Sequence, residues 1–196
     1  MAAVHLGALL AGAETAEHLT KPALMPVLAA HVLTRGGPRL LAAALIFGCG
    51  GDTLLQIGGD TVFLAGMGSF AAGHVCYLLL FVRGGGGRVP VAAAAGYGIA
   101  WLGTVALLWP DLPAGMRIPV AGYSLLLIGM ALGALRAGPL AAAGGALFVL
   151  SDTLIATGIA EWPQAPVPQL WIMLTYLGAQ YALAAALTRA PTASAT

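Results

Sequence analysis

A chain of 196 residues in which 60% of side chains are hydrophobic and only 8% are charged lies far from soluble domains, which carry about 25% charged residues. Its net charge of +1 supplies neither a basic field for nucleic acid nor an acidic tail, so lipids and small molecules are the expected partners. At about 20 residues per helical crossing, the length admits about eight short spans and no soluble domain beside them.

In chain order, residues 6–13 are apolar but short, and Glu14, Glu17, His18 and Lys21 follow at once. No basic leader or small-residue cleavage site precedes them, so this stretch reads as a first span rather than a removable signal. Pro22 predicts a helix start, because proline suits a first turn, and that second helix runs to Leu33. Arg35-Gly36-Gly37-Pro38-Arg39 is a tight basic loop. A third span covers 40–57, Gly58-Gly59-Asp60 turns the chain, and a fourth covers 61–82. The glycines between Arg83 and Arg88 form a flexible linker between two halves. Spans over 89–109, 118–135, 140–159 and 170–187 complete the count, separated by proline-bearing breaks. Residues 1–190 thus form one transmembrane domain, and 191–196 a small polar tail expected to be mobile. The fold expected is an all-α polytopic bundle.

Charge placement tests the count independently, since cytoplasmic loops collect Lys and Arg. Arg35, Arg39, Arg83, Arg88, Arg136 and Arg189 all fall on one side of an eight-span model, leaving only Lys21 and Arg117 for the other. Glu14, Glu17, Asp60, Asp111 and Glu161 fall on that other side. Both termini are therefore expected in the cytoplasm. The Gly- and Ala-rich composition points to a bacterial inner membrane.

Two acids remain inside spans. Asp52 and Asp152 each cost about 2.5–3.5 kcal/mol on insertion scales, an expense that marks residues lining a pathway or reaction cavity. They occupy the third and seventh spans, which run in the same direction, so both lie in the outer half of the bilayer at matching depth. Asp52-Thr53-Leu54-Leu55 and Asp152-Thr153-Leu154-Ile155, with Phe47 and Phe148 upstream, hint at an internal repeat. The alternative is a structural pair bonded to hydroxyls or backbone. In the fourth span, Phe63, Gly66, Phe70, His74 and Tyr77 recur at three- and four-residue steps along one face. The phenylalanines and glycines are packing residues, whereas His74 is a site residue or a satisfied core histidine. Lys21 either snorkels to the interface or serves the site. Gln56, Ser151, Tyr123, Tyr176 and Gln180 are polar positions in spans, each able to line the cavity or to bridge two helices. Cys49 and Cys76 suggest no disulfide framework, and His5, His18 and His31 have no ligand spacing, so no metal is expected.

These blocks resemble the YhhN-type membrane proteins, a family that includes the lysoplasmalogenases. The resemblance rests on Lys21-Pro22 with Pro26, Gly51-Asp52-x-x-Leu55, the Phe63 to Tyr77 series, Gly145-Ala146-Leu147-Phe148-x-x-Ser151-Asp152, and Thr175-Tyr176 with Gln180. Two departures are the short first span and a Gly-rich stretch ahead of Asp52 where the family pattern has a serine before Gly-Asp. The resemblance implies an eight-helix membrane hydrolase without added cofactor, cleaving the vinyl-ether bond of a lysophospholipid to a fatty aldehyde and a glycerophospho-base. Such cleavage needs one protonated acid and one group that stays anionic, and two carboxylates sharing a low-dielectric site divide these roles. Asp52 and Asp152 are then the acid and the cation stabiliser in either order, with His74 assisting; Lys21, Tyr77, Ser151, Tyr176 and Gln180 are candidate substrate contacts. A proton-coupled transporter using the same acids and a hydrolase of another lysolipid are the competing expectations.

Overall fold

Proline and glycine set the helix ends. The computed structural model describes residues 1–84 and 86–189, so the tail at 191–196 and one glycine of the linker lie outside the described residues. Eight α-helices follow in order: α1 (Ala2–Ala11), α2 (Glu14–Thr34), α3 (Arg39–Ile57), α4 (Asp60–Arg83), α5 (Val91–Leu108), α6 (Ala114–Leu135), α7 (Pro139–Ile159) and α8 (Pro168–Arg189). Pro38, Pro90 and Pro113 stand immediately before a helix, and Pro139 and Pro168 open one. At these positions the ring presets φ and the missing N–H has no acceptor to lose.

The expected eight helices are present. Six of them, α3 to α8, are long and apolar enough to cross a membrane, which makes this an integral membrane protein. With ten residues, α1 rises only about 15 Å, half a hydrocarbon core. The second helix differs from expectation. It begins at Glu14 rather than Pro22 and carries Pro22 and Pro26 inside it. Pro26 cannot donate to the Pro22 carbonyl four residues back, and an unsatisfied buried carbonyl costs about 1–3 kcal/mol. The Cys49 thiol of α3 donates to that carbonyl at 3.1 Å, so a neighbouring helix supplies the partner that proline removed. The sixth helix also starts earlier, at Ala114, carrying Pro119 within it.

Packing runs α1–α2–α3–α4–α6–α7–α8 and back to α1, a ring of seven helices with α5 seated on the outside of α6. The interior holds Met25, Leu41, Leu45, Met130, Phe148 and Leu183, all fully buried. Small residues bring the walls together, as expected where no hydrophobic effect drives helix association. A side chain at Gly51 would meet the Phe70 ring at 2.4 Å, and one at Gly144 would meet Leu183 at 2.9 Å. These two contacts close α3 on α4 and α7 on α8.

The halves repeat one packing order: α1 on α2, α2 on α3 and α3 on α4 match α5 on α6, α6 on α7 and α7 on α8. Thr53 donates to the Cys49 carbonyl and Thr153 to the Val149 carbonyl, each at 2.8 Å. The likeness around the two aspartates therefore extends to the architecture, and it sets Asp52 and Asp152 at corresponding places on α3 and α7.

Candidate active site

Asp52 and Asp152 line one cavity of about 360 Å³ together with Lys21, Phe70, Ser151 and Tyr176. Their surroundings differ. The Lys21 ammonium, from α2, stands 3.9 Å from Asp52 Oδ1, with both side chains largely buried, and is a counter-ion for a carboxylate. Among the described residues, Asp152 has no cation beside it. It accepts a hydrogen bond at Oδ2 from the Tyr123 hydroxyl of α6. Each aspartate is thus addressed by a polar group from the preceding long helix of its own half, an ammonium in one and a phenol in the other.

His74 lies behind this wall rather than on it. It is fully buried, with Nε2 3.0 Å from the Tyr123 oxygen. Because the Tyr123 proton is committed to Asp152, the phenol oxygen accepts, so the His74 Nε2–H donates. The three groups form a chain from His74 through Tyr123 to Asp152. Phe148 packs edge-on against His74 and also against Tyr176, at centroid distances of 4.7 and 5.5 Å, which fixes both rings.

The remaining expected contacts separate into two groups. Tyr176 lines the cavity, and its hydroxyl, like Asp52 Oδ2, is buried with no hydrogen-bond partner among the described residues. Such orphaned polar atoms are costly unless a ligand or water meets them. Ser151 also lines the cavity, while its hydroxyl donates to the Ile172 carbonyl of α8 at 3.2 Å. Tyr77 and Gln180, by contrast, bond to each other at 2.6 Å in the bundle interior and reach neither cavity. They tie α4 to α8. Gly48 makes room for that tie and for Tyr176, since a side chain there would lie 2.9 Å from the Tyr176 hydroxyl and 3.2 Å from Gln180 Nε2.

The missing serine ahead of Gly51 leaves the wall intact. A side chain at Gly50 would meet Ser69 Oγ at 2.7 Å, and neither Gly50 nor Ser69 lines the cavity. A second cavity, of about 170 Å³ and nearly all apolar, adjoins the first between α4, α5, α6 and α7. Phe63, Phe70, Ile155 and Asp152 line both, so the Asp152 carboxyl stands where the polar and apolar spaces meet. Tyr123 is the candidate site residue least marked in the sequence. Its only signal was a phenol inside an otherwise apolar span.

Residues 16–187 match the YhhN family, which takes in every residue of this site. The chain belongs to the YhhN family. Two curated proteins similar to this YhhN chain are both named lysoplasmalogenase TMEM86B. The Homo sapiens protein is 31% identical over 160 residues, covering 80% of this chain and 66% of that protein. The Sus scrofa protein is 31% identical over 183 residues, covering 85% of this chain and 74% of that protein. This YhhN chain thus spans about two thirds of the human relative's length. No solved structure matches it.

Proposed function

We propose that this YhhN protein is a membrane hydrolase that cleaves the vinyl-ether bond of lysoplasmalogens, releasing a fatty aldehyde and a glycerophospho-base. The observation that carries the reading is two aspartates on one cavity wall, one beside an ammonium and the other held by a phenol at an apolar boundary. The names of the human and pig relatives support the substrate class.

In this reading Asp152 is the general acid. Its Oδ2 is held by Tyr123, and the other carboxyl oxygen carries the proton to the alkene carbon remote from the ether oxygen. The carbon bonded to that oxygen becomes an oxocarbenium centre. Asp52, kept anionic by Lys21, stabilises the cation across the cavity and orients a water molecule. Water adds to the cationic carbon, its proton returns to Asp152, and the resulting hemiacetal collapses as its hydroxyl proton passes to the ether oxygen. Aldehyde and free alcohol leave, with one water consumed. His74 does not touch the substrate; it acts through Tyr123, which sets the direction of the Asp152 carboxyl. The partly buried Lys21 leaves its remaining N–H groups for a substrate phosphate. We place the arginine-bearing loops in the cytoplasm of a bacterium, with the polar cavity toward the opposite face of its inner membrane.

Purified protein given alkenyl and acyl lysolipids in parallel tests the reading. Aldehyde from the alkenyl lipid and no fatty acid from the acyl lipid is the expected result. Fatty acid release, or turnover of neither lipid, contradicts it.

A further inference from the structure

The two halves of the bundle repeat one packing order, and one departure from it creates a space. In the first half α1 packs on α2 and also on α8, sealing the seam and completing the ring. In the second half α5 is the counterpart of α1 and α4 the counterpart of α8. Here α5 packs on α6 and makes no comparable packing on α4. Of all its residues only Leu108, at its last turn, is buried. Among the described residues one side-chain hydrogen bond, Trp101 Nε1–H to Ser124 Oγ at 3.0 Å, joins α5 to α6 midway. The unsealed seam is the apolar cavity, walled by Trp101 and Thr104 of α5, Ala121 and Leu127 of α6, and Ile155 of α7.

We propose that this cavity binds the hydrocarbon chain of the lysolipid and that α5 is the side wall past which the chain enters from the bilayer. The inference rests on the hydrolase reading and deepens it. Three observations choose the occupant. The cavity is bounded by apolar side chains at the lipid-facing side of the bundle, where an alkyl chain loses nothing by moving in. It joins the polar cavity at Asp152, so a molecule with an apolar tail and a phosphate-bearing head lies across the junction with its linking bond at the carboxyl. The outer wall is the least buried of the long helices, and a helix with few buried contacts is the one that yields locally. Tail length and branching are therefore read by α5 and α6, while the head group is read by the Lys21 side.

The test is a chain-length profile with purified full-length protein in lipid vesicles. Thr104→Trp fills the cavity from α5 and Ala121→Phe fills it from α6, so that one remains if the other fails to fold. Leu102→Trp adds comparable bulk on the bilayer side of α5, where Leu102 is 62% exposed. The ratio of kcat/KM for a long-chain over a short-chain alkenyl lysolipid is expected to fall about tenfold or more in both cavity variants, and to stay at the wild-type value in Leu102→Trp. An unshifted ratio in the cavity variants, with hydrolysis retained, overturns the assignment of the cavity alone. Wild-type protein that hydrolyses neither lipid overturns the hydrolase reading and this inference with it.

Discussion

Lys21 and Asp52 form an ion pair that is mostly removed from solvent, and removing one partner of such a pair strands the other charge. Lys21→Met is expected to destabilise the protein by about 3–5 kcal/mol, measured by unfolding in detergent. Combining it with Asp52→Asn, which has no charge to strand, is expected to restore much of that stability and none of the activity. Tyr123 makes a different prediction, because Tyr123→Phe keeps the ring and removes only the donor to Asp152. That hydrogen bond strengthens as Asp152 gives up its proton, and to the carboxylate it contributes about 1.5–3 kcal/mol, so kcat should fall by roughly ten- to a hundredfold with KM little changed. Steady-state kinetics on an alkenyl lysolipid checks it. At this scale the sequence exposed Asp52 and Asp152 because a carboxylate in hydrocarbon is conspicuous. It did not expose their partners. Lys21 is 31 positions from Asp52 and Tyr123 is 29 from Asp152, and no spacing rule along one helix joins residues on different helices.

At the scale of helices, most ends were legible where proline or glycine made them, but the starts of α2 and α6 were not. Pro22 resembled a first-turn proline, yet it lies inside α2, and the carbonyl that Pro26 leaves free is met by Cys49. That repair is tertiary, and nothing in the order of residues along α2 announces it. The fourth helix divides likewise. The recurrence of Phe70, His74 and Tyr77 predicted one inward face, and all three do turn inward, but only Phe70 reaches the cavity. Close approach of α3 and α4 gives this scale its prediction. In Gly51→Ala the added methyl would sit 2.4 Å from the Phe70 ring, and overpacking of this kind costs about 1–3 kcal/mol. Because Phe70 lines both cavities, activity should fall along with thermal stability, and Phe70→Leu in the same chain should recover part of the stability.

For the whole molecule, two halves of four helices each repeat one packing order, and α3 and α7, counterparts in it, bring their aspartates to one cavity. The asymmetry was not legible: no residue of α5 signals that it leaves α4 uncovered, since its apolar surface serves equally against lipid or protein. Orientation is tested by reporter fusions to the loop between Arg83 and Arg88 and to the α5–α6 loop. A cytoplasmic signal from the first and an external signal from the second are expected, and the reverse pattern would move the polar cavity to the cytoplasmic half. The chemistry is tested most directly by the aldehyde formed from a lysoplasmalogen in heavy water, trapped as it is released, with wild-type protein and with folded Asp52→Asn and Asp152→Asn variants. The predicted result is one deuterium at the aldehyde carbon next to the carbonyl and a loss of at least about a hundredfold in rate for each variant. Variants that release aldehyde at the wild-type rate would contradict the assignment of the two aspartates.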